Sequence, residues 1–292
     1  MTAPAAAGPA QRAVRVRAPR SAQTLRLRGS LAILGVLGVV ALLAGVLAPY
    51  DPRAQDISAI LQGPSGAHLL GTDDLGRDVL SRLIYGARVS LQASLLAVSI
   101  AALLGLPIGI IAGYFGGWVD NVLMRVVDTL LSFPAIILAI GITAALGPSL
   151  TNSMTAVGVV FAPSIARLMR AQIFAVKEAP FIEASRSFSC SGPRIVFRHI
   201  LPNAIQPVLV QCAVLLGLAL LAEASLSFLG LGVQPPDASW GSMLARAYSF
   251  ISLAPLQIIT PGIAIAVTVL AFNMLGDAAQ LALDPRNRRR RD

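Results

Sequence analysis

Charge is scarce in this chain. Only 13% of its 292 residues are Asp, Glu, Lys or Arg, against 55% hydrophobic, and the mean hydropathy is +0.74. An ordinary soluble domain carries about a quarter charged residues, so a water-surrounded globule is excluded and a membrane protein is indicated. Lysine occurs once, at Lys177, and Glu178 follows it. A phosphate-cradling loop needs a Lys followed by Ser or Thr, so the chain is not an ATPase. The two histidines, His68 and His199, fall on opposite expected sides of the membrane, which excludes a two-histidine metal site within the chain. A serine-hydrolase triad lacks its G-x-S-x-G elbow. Cys190 and Cys212 have neither metal nor redox spacing and read as free thiols.

What the chain does have is apolar length. A membrane span takes about 20 apolar residues, and six stretches qualify: Leu31 to Ala48, Val89 to Gly113, Thr129 to Leu146, Thr151 to Ile165, Gln206 to Ala222 and Leu256 to Gly276. The expected fold is therefore an all-α membrane protein with six transmembrane helices. The formal charge of +9 is distributed in a telling way. Six Arg precede the first span, five follow Asp284, six basic residues stand between Arg167 and Arg198, and Arg125 precedes the third span. With six spans, these eighteen of the 23 basic residues share one side, which the positive-inside rule makes cytoplasmic. Both termini are then cytoplasmic. The Arg tails read as solvated or lipid-facing anchors, with no nucleic acid as partner.

This topology divides the chain into a basic tail over 1–28 expected to be disordered, a first helix over 29–49 that acts as an uncleaved signal anchor, and an extracytoplasmic segment over 50–88. A five-helix core over 89–282 follows, with a cytoplasmic loop over 166–205, and then a basic tail over 283–292.

The longest polar interruption of the C-terminal two-thirds runs from Glu183 to Asn203, EASRSFSCSGPRIVFRHILPN. No charge occurs between Asp128 and Arg167 or between Arg198 and Glu223, so both flanks suit hydrocarbon. The interruption itself is too charged for a bilayer interior. Pro180 suits a first helical position, opening a short helix over Phe181 to Phe188. Gly192-Pro193 breaks the chain, and Arg194 to Ile200 can add a second turn or two before Leu201-Pro202. Two short helices presented to water fit a helix-in-groove contact with a partner.

The order Glu183-Ala184, Ser189, then Arg198-His199-Ile200-Leu201-Pro202-Asn203 resembles the EAA loop of permease subunits of ATP-binding-cassette (ABC) importers, with Ser185 and Ser189 where that pattern usually has Ala and Gly. Two further stretches resemble the C-type permease of the dipeptide, oligopeptide and nickel importers: GTDDLGRD within residues 71 to 88, and EASLSFLGLGVQPPDASWGSML over residues 223 to 244. The resemblance implies a type I ABC importer permease fold. Glu183, Ala184, Ser185, Ser189, Arg198, His199, Leu201 and Pro202 would form an ATPase-coupling loop. A homologous second permease, two ABC ATPase subunits that bind ATP and Mg, an extracytoplasmic binding protein and a peptide substrate are the implied partners, and this chain would bind no cofactor itself. A nickel or other small-solute importer is the alternative. An ion-coupled carrier is a further class, although the spans offer little mid-membrane polarity beyond Asn273 and Gln211.

Smaller features complete the reading. Gly71, Thr72, Asp73, Gly76, Arg77 and Asp78 belong to a stretch in which Asp73/Arg77 and Asp78/Arg82 are spaced i,i+4, as on an amphipathic helix lying on the outer surface. Gly105, Gly109, Gly113 and Gly117 form a four-residue stripe suited to close helix packing, within the subunit or against a second permease. Pro134, Pro163 and Pro261 fall inside spans and bend them. Glu223 lies near the outer end of the fifth span, where a carboxylate is solvated or, alternatively, relays protons. Trp240 is available as an interfacial anchor.

Overall fold

This computed structural model describes residues 20–188 and 190–283, with side chains over 27–280 apart from Arg186. The basic tails expected at 1–28 and 283–292 lie largely outside the described residues. Helices dominate, and no β-strand occurs among the described residues.

Local chemistry explains where each element begins and ends. The first passage is α1 (Arg20–Leu42) followed by α2 (Ala44–Leu47). α3 (Val79–Phe115) starts where the Asp78 carboxylate accepts from the backbone N–H and hydroxyl of Ser81, both at 2.7 Å. It runs 37 residues, about 55 Å at the helical rise. The helix stops at Gly116, whose φ of +66° is open to a residue without Cβ. α4 (Gly117–Leu131) and α5 (Ala135–Leu146) meet at 91° across Ser132, Phe133 and Pro134, because proline cannot supply the N–H that would continue the helix. α6 (Leu150–Lys177) opens at Ser149, whose hydroxyl accepts from Asn152 N at 3.1 Å, and passes Pro163 without a break. A polar knob follows: α7 (Pro180–Ser187), α8 (Gly192–Arg194), a π turn over Ile195–Ile200 and α9 (Leu201–Ala204). α10 (Gln206–Phe228), α11 (Trp240–Tyr248) and α12 (Leu256–Leu283) complete the chain.

The centre of the molecule is the parallel pair α3 and α6. Gly105 faces Ala162 and Ile165, Gly109 faces Ala166 and Met169, and Gly113 faces Ile173, while Gly158 of α6 faces Ala97 and Ile100. α10 runs antiparallel to α12, with Gly217 against Val269 and Phe272 and Gly276 near Val214. α1 packs on α12. Tyr50 N donates to Ser81 Oγ at 3.0 Å and Gln257 Nε2 donates to the Thr72 carbonyl at 2.6 Å, so α1–α2 ends and α12 begins beside the start of α3. The start of α1, the end of α12 and the knob therefore lie together at the opposite end.

Four helices, α3, α6, α10 and α12, are long and apolar enough to cross a membrane, and the bent pair α4–α5 makes a fifth. The apolar part of α1, Leu27–Leu42, is shorter and is extended by α2. With α1–α2 and α4–α5 each counted as one passage, the chain passes six times between its two ends.

Three sequence expectations are corrected. No amphipathic helix covers residues 71 to 88: Gly71 to Asp78 is a turn, with Gly71 and Gly76 at positive φ, and α3 begins ten residues before the expected start. Arg82 can enter this helix because it is buried against Asp73 and the Pro52 carbonyl. The span expected over Thr129 to Leu146 is broken at Pro134, and Arg125, expected ahead of that span, lies within the helix α4. Residues 166–177, expected in the loop, belong to α6, so the polar loop begins at Glu178.

Candidate functional site

The knob is anchored by a few large aliphatic side chains. Ile182 of α7 is fully buried, and Ile195 and Val196 of the π turn, with Ile200 and Ala204, are buried with it. Together with Met169 and Ile173 of α6, Ile182, Ile195, Ile200 and Ala204 form one continuous core cluster. α7 begins at Pro180, which has no N–H to leave unpaired in a first turn. The helical path expected to end before Pro202 continues through it to Ala204, with the π turn absorbing the mismatch.

The opposite face of the knob is open. Phe181, Glu183, Ala184, Phe188, Arg194, Phe197, Arg198 and Pro202 are exposed. Ser185 and Leu201 are half-buried, as is His199, whose carbonyl accepts from Asn203 Nδ2 at 2.7 Å. Ser189 lies outside the described residues. Of the residues expected to couple, the structure thus brings Glu183, Ala184, Arg198 and Pro202 onto one polar protrusion. Exposed Phe181, Phe188 and Phe197 accompany them, the last two 83% and 66% accessible. The sequence signal for that apolar share was an aromatic residue recurring among charges, and it went unread.

The residues of the GTDDLGRD stretch converge at the other end. Asp73 accepts from Leu75 N, Arg77 N and Arg77 Nε at 3.0, 3.0 and 2.7 Å and pairs with Arg82 Nε at 3.4 Å. Asp78 caps α3 and meets His68 Nδ1 at 2.9 Å, so the expected Asp78/Arg82 pair is replaced by Asp78/His68 and Asp73/Arg82. Asp74 pairs with Arg246 at 3.2 Å. Thr72 donates to the Ala59 carbonyl, and its own carbonyl accepts from Gln257. Gly71 and Gly76 turn the chain between them. These charges are consumed by one another, so the motif fastens the segment before α3 to α11 and α12. Nearby, the Ser58 hydroxyl and N–H hold the Asp56 carboxyl below its ordinary value.

The glycine stripe divides. Gly105, Gly109 and Gly113 lie against α6, where an added Cβ would come within 2.5–2.7 Å of a neighbouring atom. Gly117 belongs to α4, with nothing near and a φ of +54°. Two residues contradict the sequence reading. Glu223 is fully buried, accepting from Ser227 Oγ at 2.7 Å and Ser90 Oγ at 3.4 Å, and is not solvated. Trp240 is 1% exposed, at the N-terminus of α11, and is no interfacial anchor.

The arrangement presents an exposed polar and aromatic face at one end and a fastened cap at the other. Among the described residues, no group of three or more His, Cys, Asp or Glu could hold a metal ion.

Comparison with known proteins agrees with this geometry. Residues 105–289 match the family described as the inner membrane component of binding-protein-dependent transport systems, and residues 28–64 match the N-terminal transmembrane domain of oligopeptide transport permease C. The dipeptide transport system permease protein DppC of Alkalihalophilus pseudofirmus is 43% identical over 264 residues, 89% of this chain and 87% of that protein. The glutathione transport system permease protein GsiD of Pectobacterium atrosepticum is 42% identical over 252 residues, 86% of this chain and 84% of its own. In fold, the chain is similar to the MetNI methionine ABC transporter in an inward-facing form, with a TM-score of 0.54 at 22% identity over 68% of this chain and 95% of that one. An amino acid ABC transporter solved with histidines gives a TM-score of 0.53 at 24% identity, over 70% and 95%.

These matches place the chain among the permease subunits of ABC importers, which are non-catalytic membrane components. The chain belongs to the family of inner membrane components of binding-protein-dependent transport systems. In such systems, ATP is bound by partner ATPase subunits, a second permease completes the pathway and a binding protein presents the substrate.

Proposed function

We propose that the chain forms half of a pathway for dipeptides or short oligopeptides and that the knob receives an ATPase subunit. The observation that carries this reading is the knob itself, rigidly rooted in the core of α6 while Glu183, Ala184, Arg198 and three phenylalanines face water. Such a mixture of aromatic and basic residues suits burial in a protein groove. The names of the relatives, which carry dipeptides and glutathione, support peptides over nickel chelates. The knob shares its end with the start of α1 and the end of α12, which supports a cytoplasmic location for it and for both termini, in line with the positive-inside distribution. A homologous second permease, two ATPase subunits holding ATP and Mg, and an extracytoplasmic binding protein complete the proposed importer in the bacterial inner membrane. ATP-driven closure of the ATPase pair would move the knob and rock the helices between inward and outward openings.

The test is reconstitution of the complete transporter in proteoliposomes with a radiolabelled dipeptide, glutathione and a nickel chelate as competing cargoes. ATP-dependent dipeptide or glutathione uptake is expected, and Glu183→Arg is expected to abolish it with loss of the ATPase subunits. Uptake of nickel chelate alone would overturn the substrate class. Normal uptake by Glu183→Arg with its ATPase subunits in place would overturn the docking surface.

A further inference from the structure

Arg170 and Lys177 of α6 stand seven residues apart, two turns along one helical face, with Phe174 between them. The Arg170 ring contact to Phe174 measures 4.9 Å and the Lys177 contact 6.0 Å. Arg170 grips Asp120 of α4 with two hydrogen bonds, Nε to Oδ1 and Nη2 to Oδ2, the latter at 2.5 Å, and Asp120 is buried. Lys177 Nζ donates at 2.7 Å to the carbonyl of Tyr114, in the last turn of α3 where helical partners run out. Between Tyr114 and Asp120 the chain turns from α3 into α4 at Gly116 and Gly117, both at positive φ. One stripe of α6 therefore holds both sides of this corner. The corner also touches the knob, since an added Cβ on Gly192 would lie 2.8 Å from the Tyr114 hydroxyl.

α4 is otherwise held by Met124, Val127 and half-buried Leu123, which pack with Ala112, Ala166 and Ile108, while its second ion pair, Asp128 with Arg167, is exposed on both sides and correspondingly weak. The bend that follows, Ser132 to Pro134, is exposed at all three residues. A bidentate, half-desolvated Arg–Asp pair fixes geometry where an exposed pair does not.

We propose that Asp120, Arg170 and Lys177 are positioning residues that carry a displacement of the knob along α6 into the α3–α4 corner and on to the bend at Pro134. This rests on the reading of the knob as the ATPase contact. α4 then moves with α6 as one body, and the bend absorbs the difference between that body and α5.

The test uses the complete transporter in proteoliposomes and reads ATP hydrolysed per radiolabelled dipeptide imported. Asp120→Arg and Arg170→Asp are each expected to raise this ratio about tenfold, within the usual span of coupling between sites, while hydrolysis continues. The paired exchange is expected to restore it, and Lys177→Arg to keep it where Lys177→Met raises it. A single reversal that leaves the ratio unchanged overturns the proposal, as does a paired exchange as uncoupled as its singles in an intact complex. Should the reversals fail to assemble, Asp120→Asn keeps the shape and removes the charge. An unchanged ratio in that variant, or its own failure to assemble, overturns the proposal as well. If Glu183→Arg keeps both its ATPase subunits and its uptake, the knob reading fails instead, and the two failures stay distinguishable.

Discussion

The indole Nε1 of Trp240 donates to the carbonyl of Leu83 at 3.0 Å, joining the first turn of α11 to the second turn of α3. The Trp240 backbone N–H donates to Ser90 Oγ at 3.1 Å, and Gly86 lets the ring lie flush, since an added Cβ there would come within 3.0 Å of Cδ1. Trp240→Phe removes one hydrogen bond and keeps most of the packing, an expected cost of about 1 kcal/mol. Trp240→Ala opens a cavity and is expected to cost about 3–5 kcal/mol. Thermal unfolding in detergent should rank the wild type, Phe and Ala forms in that order.

Asp73 neutralises two buried guanidiniums at once, those of Arg77 and Arg82. Removing one partner of a buried pair strands the other charge, so Asp73→Ala is expected to destabilise the protein by about 3–5 kcal/mol. Arg53, whose pair with Asp237 is fully open to water, provides the contrast: Arg53→Ala is expected to leave the unfolding transition where it was. Equal losses in the two variants would show that the Asp73 cluster is not the fastening that its burial implies.

The two ends of the fold were unequally legible in the sequence. Hydropathy located most of the passages because lipid admits few other patterns, and Pro180 marked the start of α7 through a steric rule that acts locally. The charges around Asp73 misled, because i,i+4 spacing suits a helix and also suits a tight turn in which Asp73 reaches both Arg77 N and Arg77 Nε. Pro134 announced a bend but not its size, since whether a helix kinks or breaks depends on what packs beside it, and Ser132 to Pro134 are all exposed. Glu223 was misread for a similar reason. Its partners Ser90 and Ser227 include one that lies 133 residues away, and no local pattern reveals that convergence.

The α3–α6 contact makes a sharper demand than its apolar character suggests. A Cβ at Gly109 would lie 2.5 Å from the Ala166 carbonyl and 2.6 Å from Met169 Cβ. Gly109→Leu therefore separates the two helices, and the expected result is a severe loss of folded protein recovered from detergent, beyond the about 1–3 kcal/mol typical of overpacking. Gly141→Leu, on α5 with nothing within 4 Å of the added carbon, is expected to be recovered normally. Similar recovery of both would mean that α3 and α6 can part without unfolding the protein.

The last prediction separates a structural carboxyl from a proton carrier. Glu223 is buried among hydroxyls, accepting from Ser227 on its own helix and Ser90 on α3, and Gly241 of α11 lies close enough that an added Cβ would come within 3.1 Å of Oε2. A Gln side chain has the same shape, and serine hydroxyls can turn to accept from its amide. If Glu223 ties α3, α10 and α11 together, Glu223→Gln keeps both stability and uptake. Glu223→Leu leaves buried hydroxyls without their acceptor, at about 1–3 kcal/mol for each group stranded, and lowers the unfolding temperature. If Glu223 carries protons, Glu223→Gln instead loses uptake with its unfolding unchanged. Uptake and thermal unfolding measured on the same two variants decide between the roles, and the hydrogen-bonded geometry favours the first.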